Sequence, residues 1–270
     1  MGLSKTVYYY QPKLLDDNEI KESLALLVKK HPRRGFKKFF EELRGNGYLW
    51  NHKRVYRVYC EMGLNLSRKP KKRIPKREAQ KLLQPLMLNE CWSMDFMSDA
   101  TTDGRKFRTF NVLDDFNREC LAIKISRSLP AKKVIEILDE LALWRGYPKK
   151  IRTDNGPEYI SKDFVAWAKR RAIELCYIQP GKPAQNGFIE RFNRTYREEV
   201  LDMYMFGSVD EVKEITEKWL EDYNNNRPHE ALKNIAPKQF SRCHRIVAMT
   251  GISGELKTSE NLNISTYNWY

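Results

Sequence analysis

The hydrophobic pattern of this chain changes near residue 90, and that change limits the fold more than any other feature. Before it, apolar residues recur at helical spacing. After it, three short β-type runs follow one another at 92–97, 107–114 and 120–126, with turn-forming residues between them. Strands first, and strand–helix alternation later, are typical of a mixed sheet covered by helices.

The rest of this α/β unit alternates helices and strands. Helices are predicted from Ala131 to Trp144 and around Trp167, and strands at 149–154 and 174–178. A longer helix is predicted to begin near Gln185. The fold class is therefore α/β, with a mixed five-stranded sheet flanked by helices and a smaller helical module in front of it.

The first 66 residues predict three short helices. Asp16 and Glu19 match a capping box at the start of the first, and Asn51 can cap the third. The third helix carries three basic residues that we predict to bind DNA: Lys53, Arg54 and Arg57. This pattern suits a helix-turn-helix-like module whose third helix enters the major groove. A small helical bundle with a solvated basic face is the alternative.

Positive charge is concentrated at the start of the chain. Residues 1–90 contain 21 Lys and Arg against 9 Asp and Glu, whereas residues 91–270 contain 28 against 26. Such asymmetry indicates a polyanionic partner, most simply nucleic acid. Its densest part is RKPKKRIPKR at 68–77, which has seven basic residues and two prolines. We predict an extended linker over 67–88 that follows a DNA backbone through Arg68, Lys69, Lys71, Lys72 and Arg73.

Other classes of protein are disfavoured by what the sequence lacks. No stretch reaches the ~18 uncharged apolar residues of a membrane span. Five scattered cysteines indicate a reducing compartment, so we expect a soluble intracellular protein without a membrane partner. The spacings of His31 to His52 and of Cys60 to Cys91 match no common zinc motif.

Three carboxylates occupy positions that an ordinary core would not give them. Asp95 lies inside the strand at 92–97, where burying a charge costs several kcal/mol unless a cation meets it. Asp154 ends the strand at 149–154, at the sheet edge where α/β proteins place their sites. Glu190 lies on the helix beside its buried stripe. Each acid alone is more often structural, and Glu190 has a simple alternative as the partner of Arg194.

Chemistry gives a reason for bringing the three acids together. Adjacent carboxylates repel each other and raise each other's pKa unless a divalent cation neutralises them. Oxygen ligands select Mg²⁺ or Mn²⁺. Two such ions ~3.5–4 Å apart can activate an attacking oxygen and stabilise the leaving oxygen of a phosphodiester. With the basic first third of the chain, the three acids predict a metal-dependent reaction on DNA.

The order and spacing of these acids resemble a known family. Asp95, Asp154 and Glu190 are separated by 58 and 35 residues. They occur with TDNGPEY at 153–159, QPGKPAQNGFIERFNRTYREEV at 179–200 and YNNNRPHEAL at 223–232. These motifs resemble the integrase catalytic core of DDE transposases, in particular the second-frame (OrfB) product of insertion sequences. Residues 31–66 resemble the helical DNA-binding segment of the same family.

The resemblance implies a fold, a reaction and partners. It implies a ribonuclease-H-like core in which Asp95, Asp154 and Glu190 are the catalytic residues and bind two Mg²⁺ or Mn²⁺ ions. The implied reaction is DNA cleavage at the element's ends, followed by attack of the freed 3′-OH on another phosphodiester. The implied partners are the terminal inverted repeats, target DNA, further copies of the chain on paired ends and an upstream-frame (OrfA) product, in a bacterial cytoplasm on the nucleoid.

Further residues are assigned from their positions near these motifs. Candidate phosphate contacts in the second half are Lys182, Arg191, Arg194 and Arg197. Residues predicted to shape the site are Asn155, Gly156 and Gln185. The predicted domains are 1–66, the linker 67–88, the catalytic core 89–240 and a tail 241–270, which we expect to form a short strand and a loose segment. A DNA-binding protein with an inactive core and a host nuclease are the two competing hypotheses.

Overall fold

The computed structural model describes residues 9, 16–66, 82, 84–179 and 183–250. Its contacts divide the chain into two units, residues 1–75 and residues 76–270. None of the helices in the described part of the chain is both long and apolar enough to cross a membrane.

The first unit contains the three predicted helices. They are α1 (Asn18–Lys30), α2 (Phe36–Gly45) and α3 (His52–Glu61). Asn51 caps α3 as predicted, because its side chain accepts a hydrogen bond from the Lys53 backbone N–H. The helices bury a shared apolar core, whose members are Ile20, Leu24, Phe39, Leu43, Val55, Val58 and Tyr59.

The predicted capping box at the start of α1 is wrong. The helix begins at Asn18, so Asp17 occupies the cap position, and Asp17 makes no side-chain capping bond. Asp16 accepts a hydrogen bond from the Asn18 N–H at 3.0 Å instead. The Asp17 carboxylate is held by two arginines of α3, and it is therefore turned away from the backbone of its own helix.

The second unit is built on the five-stranded mixed sheet that the sequence predicts. Its strands are β1 (Cys91–Ala100), β2 (Lys106–Asp114), β3 (Cys120–Ser126), β4 (Lys150–Thr153) and β5 (Glu174–Tyr177). Their order is β3-β2-β1-β4-β5. The hairpin pairs β1–β2 and β2–β3 are antiparallel, whereas β1–β4 and β4–β5 are parallel. The strand that carries Asp95 is therefore central.

Helices cover both faces of this sheet, as expected. On one face, α4 (Ala131–Arg145) and α5 (Lys162–Arg170) pack over an apolar cluster that includes Trp92 and Met94. On the other, α6 (Gly187–Tyr196) and α7 (Val209–Asn225) pack over a cluster that includes Met97. A 3-10 turn (Pro183–Asn186) precedes α6 and a π-helical turn (Arg197–Leu201) follows it.

The end of the described chain differs from its prediction. Residues Pro237–Thr250 form a helix, α8, so a short strand after residue 240 is wrong and the predicted domain boundary falls inside a helix. Its first turn is anchored to the β2–β3 connection, because Phe240 packs on Phe116 with ring centroids 5.4 Å apart. Residues 251–270 and most of the predicted linker, 67–81 and 83, lie outside the described residues.

Candidate active site

Asp95 lies on the part of β1 that extends beyond the end of the neighbouring strand β4. Cys91 to Ser93 pair with β4, and β4 ends at Thr153, so Asp95 borders the space beyond that strand. On the other side, Asp95 is in register with Asn111 of β2. One Asp95 oxygen, Oδ1, accepts the Phe96 backbone N–H at 2.9 Å. The parallel β1–β4 pairing therefore brings Asp95 and the residue after Thr153 to one edge of the sheet.

That next residue is Asp154, and a tight turn holds its carboxylate. Asp154 Oδ1 accepts the Gly156 backbone N–H at 3.0 Å. A Cβ at position 156 would lie 3.1 Å from this same oxygen, which explains the glycine. The Asn155 side-chain amide donates to the Ile178 carbonyl at 3.0 Å and so ties the turn to the end of β5. Gln185 Oε1 accepts the Gln179 backbone N–H at 2.8 Å on the way to α6.

Glu190 lies in the first turn of α6, and an asparagine on the same helix, Asn193, connects the helix to Asp95. The Asn193 side-chain amide donates to Asp95 Oδ2 at 2.7 Å, and Asn193 Oδ1 accepts from the Asn111 amide at 2.8 Å. Asn193 had no predicted role. Its signal in the sequence is a polar residue three positions after Glu190, next to the apolar stripe of the helix.

The three acids interact electrostatically. Burial and, to a smaller extent, the negative charges of Asp154 and Glu190 together raise the pKa of Asp95 to about 6. The hydrogen bonds from the Phe96 N–H and the Asn193 amide act in the opposite direction, because they stabilise the charged form. The charges of Asp154 and Glu190 thus act on the Asp95 carboxyl group, and a shared role of the three acids in catalysis stays a prediction.

The donor set suits a hard divalent cation. Three carboxylates supply only oxygen ligands, and their mutual repulsion is relieved by positive charge. Among the described residues, however, no three Asp, Glu, His or Cys side chains converge closely enough to hold one ion together. The residues fit the ion in charge and ligand type, and hydrogen bonds within the protein set the directions of the Asp95 and Asp154 carboxylates.

Comparisons with known proteins give the family. Two models described as "Integrase core domain" match residues 86–183 and 171–237, and one described as "HTH-like domain" matches residues 15–73. An insertion element IS407 protein of Burkholderia multivorans is 37% identical, over 92% of this chain and 90% of its own length. An IS476 protein of Xanthomonas euvesicatoria is also 37% identical, over 90% and 71%. This chain belongs to the integrase-core transposases of insertion sequences.

A more distant relative is the putative transposase InsK of IS150 from Escherichia coli, which is 23% identical over 88% of this chain and 89% of its own length. The family confirms a ribonuclease-H-like α/β core preceded by a helix-turn-helix-like module. The transposase is a DNA-binding DDE polynucleotidyl transferase that acts in DNA transposition. Family membership also implies the use of a divalent metal ion.

The predicted DNA-binding residues of the core differ in their surroundings. Arg191 and Arg194 are exposed on α6. Arg197 instead donates to Asp99 Oδ2 at 3.2 Å and to the Ser98 carbonyl at 3.0 Å, so its guanidinium is attached to the end of β1. Lys182 lies outside the described residues.

The predicted DNA-binding residues of the first unit also divide into two groups. Lys53 is exposed. Arg54 and Arg57 both bind Asp17, at 2.8 and 2.6 Å, and Arg57 also binds Glu61 at 2.6 Å. The guanidinium groups of Arg57 and Arg54 hold the pKa of the Asp17 carboxyl below its ordinary value. The other candidates, Arg68, Lys69, Lys71, Lys72 and Arg73, lie outside the described residues.

Replacing Asn193 by Ala is expected to disturb Asp95 from within the protein. The change removes the amide that donates to Asp95 and leaves the buried Asn111 amide without its acceptor. We expect a loss of about 1–3 kcal/mol of unfolding free energy and a 10- to 100-fold loss of DNA cleavage. Urea unfolding and a cleavage assay measure the two effects. Asn225→Ala, on the exposed side of α7, is the control, and equal behaviour of both variants would contradict the role of Asn193.

Proposed function

We propose that this transposase cleaves DNA at the ends of its insertion sequence and joins them to target DNA, with two Mg²⁺ or Mn²⁺ ions bound by Asp95, Asp154 and Glu190. The observation that carries the proposal is geometric: the parallel pairing of β1 with β4 brings Asp95 and Asp154 to the same edge of the sheet, and α6 carries Glu190 near enough for its charge to act on Asp95. Burial and these two carboxylates also raise the pKa of Asp95 to about 6, and a buried carboxyl group perturbed in this way is typical of a functional site. A buried structural acid would instead be paired with a cation, as Asp115 is with Arg152.

The reaction consists of two phosphoryl transfers. In cleavage, a water oxygen forms a bond to phosphorus and the 3′ oxygen leaves as a hydroxyl. In joining, that 3′-OH forms the new bond to a target phosphorus and the target's 3′ oxygen leaves. When bound, the divalent ions supply the positive charge that activates the attacking oxygen and stabilises the leaving one. Asn193 and the Phe96 N–H orient Asp95, and the turn at Gly156 orients Asp154.

The DNA partners follow from the two units. We propose that the helix-turn-helix-like unit binds the terminal inverted repeats, with Lys53 exposed for contact with DNA. Joining two ends to a target requires two active sites, so we propose a homo-oligomer on paired ends. An upstream-frame product is a further proposed partner. We propose accordingly that the transposase acts on DNA in the bacterial cytoplasm.

The experiment uses the full chain with a duplex that carries the element's terminal repeat. Mg²⁺-dependent nicks at the repeat and joined products from a target plasmid are expected. A host nuclease would yield nicks without joined strands. A DNA-binding protein with an inactive core would bind the duplex without cutting it, even in Mn²⁺. Either result would contradict the proposal.

Replacing both Arg191 and Arg194 by Ala is expected to weaken DNA binding in a salt-dependent way. Each phosphate contact contributes about 0.9 to the slope of log affinity against log salt, so the slope should fall by about 1.8. Fluorescence anisotropy in EDTA over a series of salt concentrations measures it. The control replaces Lys213 and Lys218 on α7, which pair with Asp210 and Glu214. An unchanged slope in the arginine variant would exclude these contacts.

A further inference from the structure

An ion pair lies near Asp154, on the opposite face of the sheet from α6. Arg108 of β2 donates from Nη1 to Glu158 Oε1 at 2.5 Å. Arg108 is 34% exposed and Glu158 is 14% exposed, so the ion pair is partly buried. Glu158 follows Asp154 by four residues, so its sequence position already favours a contact near Asp154, whereas Arg108 had no predicted role.

The Arg108–Glu158 ion pair spans β1, the strand that carries Asp95. The Arg108 guanidinium lies over the Phe96 ring, 4.2 Å from its centroid. Phe96 also stacks on Tyr159 at 5.3 Å, and its backbone N–H donates to Asp95 Oδ1. Arg108 therefore reaches from β2 across β1 to the segment 154–160, and it does so over the residue that hydrogen-bonds to Asp95.

Glu158 lies close to Asp154 as well. A Cβ at Gly156 would lie 3.1 Å from Asp154 Oδ1 and 3.5 Å from Glu158 Oε2, so both carboxylates border the same small space. A fourth carboxylate without a partner would repel Asp154 or compete with it for a cation. The guanidinium of Arg108 neutralises Glu158 and fixes its direction.

The segment 154–160 needs such a contact because it lies beyond the end of β4 and its ladder of hydrogen bonds. Two of its hydrogen bonds run to the end of β5, from the Asn155 amide to the Ile178 carbonyl and from the Tyr177 hydroxyl to the Tyr159 carbonyl. Those bonds position the segment relative to β5, on the far side of β4 from Asp95. The Arg108–Glu158 pair and the Phe96–Tyr159 stack connect it to the strands that carry and flank Asp95.

We propose that Arg108 and Glu158 are positioning residues, which fix the segment 154–160 and thereby set Asp154 relative to Asp95. The inference rests on the metal-dependent reaction proposed above. Its consequence is that the pair controls the affinity of the site for Mg²⁺ without contacting the ion or the DNA. Partners that orient metal ligands typically change metal affinity 10- to 100-fold when they are removed.

The test uses the full chain with both residues made neutral, as Arg108→Gln together with Glu158→Gln. This double variant removes the ion pair and leaves the net charge near the site unchanged. We expect the Mg²⁺ concentration for half-maximal thermal stabilisation to rise about tenfold, with the same rise in the cleavage assay. The KM for DNA should change less than twofold. Arg108→Lys, which keeps the charge pair, should recover most of the Mg²⁺ affinity.

The matched control is Lys150→Gln with Glu174→Gln. This ion pair links the start of β4 to the start of β5 in the same sheet, at the opposite end from Asp154. Its removal should leave the Mg²⁺ response within twofold of that of the unmodified chain.

Three results would overturn the inference. Equal Mg²⁺ responses in the Arg108/Glu158 double variant and the unmodified chain would remove the positioning role alone. A loss of DNA affinity and of salt dependence in Arg108→Gln, with Mg²⁺ binding intact, would make Arg108 a phosphate contact instead. If Mg²⁺ does not stabilise the unmodified chain, the metal-dependent reaction is overturned as well. If Mg²⁺ stabilises the unmodified chain but not Asp95→Asn, the ion binds at the acids, and only the positioning role of Arg108 and Glu158 remains to be judged.

Discussion

Asp95→Asn, Asp154→Asn and Glu190→Gln should each abolish DNA cleavage and strand transfer. An amide has nearly the shape of a carboxyl group but carries no charge, so each variant loses one anionic oxygen ligand of a divalent cation. We expect a loss of on the order of 10³-fold or more in the rate of both steps, which corresponds to about 4 kcal/mol of transition-state stabilisation. DNA binding should persist, because the basic residues are untouched.

The assay separates the two steps. A blunt duplex with the terminal repeat reports cleavage, and a duplex that already ends in a free 3′-OH reports joining. Glu198→Gln is the matched control, since Glu198 is exposed on the π-helical turn that follows the helix of Glu190. Strand transfer at the normal rate in all three variants would refute the assignment of the catalytic acids.

Most of the fold was predictable from local patterns. The five strands and the main helices follow from periodicities of two and 3.6 residues, which depend on which face of each element is buried. The strand alternation that separates Met94 from Asp95 is likewise local. Helix α8 was missed, and in the structure its Phe240 packs against Phe116, a residue of the β2–β3 connection that is distant in sequence. Periodicity within 241–250 carries no information about that contact.

The candidate site was predictable in its acids and not in the groups that hold them. Asp95 is conspicuous because it is a charge inside an apolar strand, and Asp154 because it directly follows a strand at the sheet edge where sites are placed. Asn193 and Arg108 acquire their partners only through the strand order β3-β2-β1-β4-β5 and the packing of α6, which no local pattern specifies.

The arginines of α3 show the same limit. A basic helix predicts DNA contacts, and Arg54 and Arg57 fit that pattern. The structure pairs both with Asp17, which precedes them by 37 and 40 residues. Whether a phosphate displaces Asp17 depends on the competition between two anions, and this competition is invisible in a count of charges.

Asp95→Asn is also expected to stabilise the metal-free protein at neutral pH while it removes activity. The folded-state pKa of Asp95 is about 6, against an ordinary value of 3.8. The folded protein therefore binds more protons than the unfolded chain between these values, so the stability contributed by Asp95 is complete below about pH 3.8 and is lost as the pH rises through 6. A shift of about two pKa units corresponds to about 3 kcal/mol at most. The variant cannot ionise at this position and avoids that loss.

Urea unfolding in EDTA from pH 4 to pH 8 measures the difference in unfolding free energy between Asp95→Asn and the unmodified chain. The contributions of the other titrating groups cancel in this difference. The variant and the unmodified chain should agree within about 1 kcal/mol at pH 4, and the variant should gain about 2–3 kcal/mol by pH 7. Asp210→Asn is the control, because Asp210 is exposed and Lys213 lowers its pKa, so that variant should gain no stability with rising pH.

Added Mg²⁺ should then stabilise the unmodified chain above pH 6 and leave Asp95→Asn unchanged, because only an ionised Asp95 attracts the cation. A stability difference that does not depend on pH would mean that Asp95 ionises as an ordinary surface acid. The argument that this site needs a cation to neutralise its carboxylates would then fail.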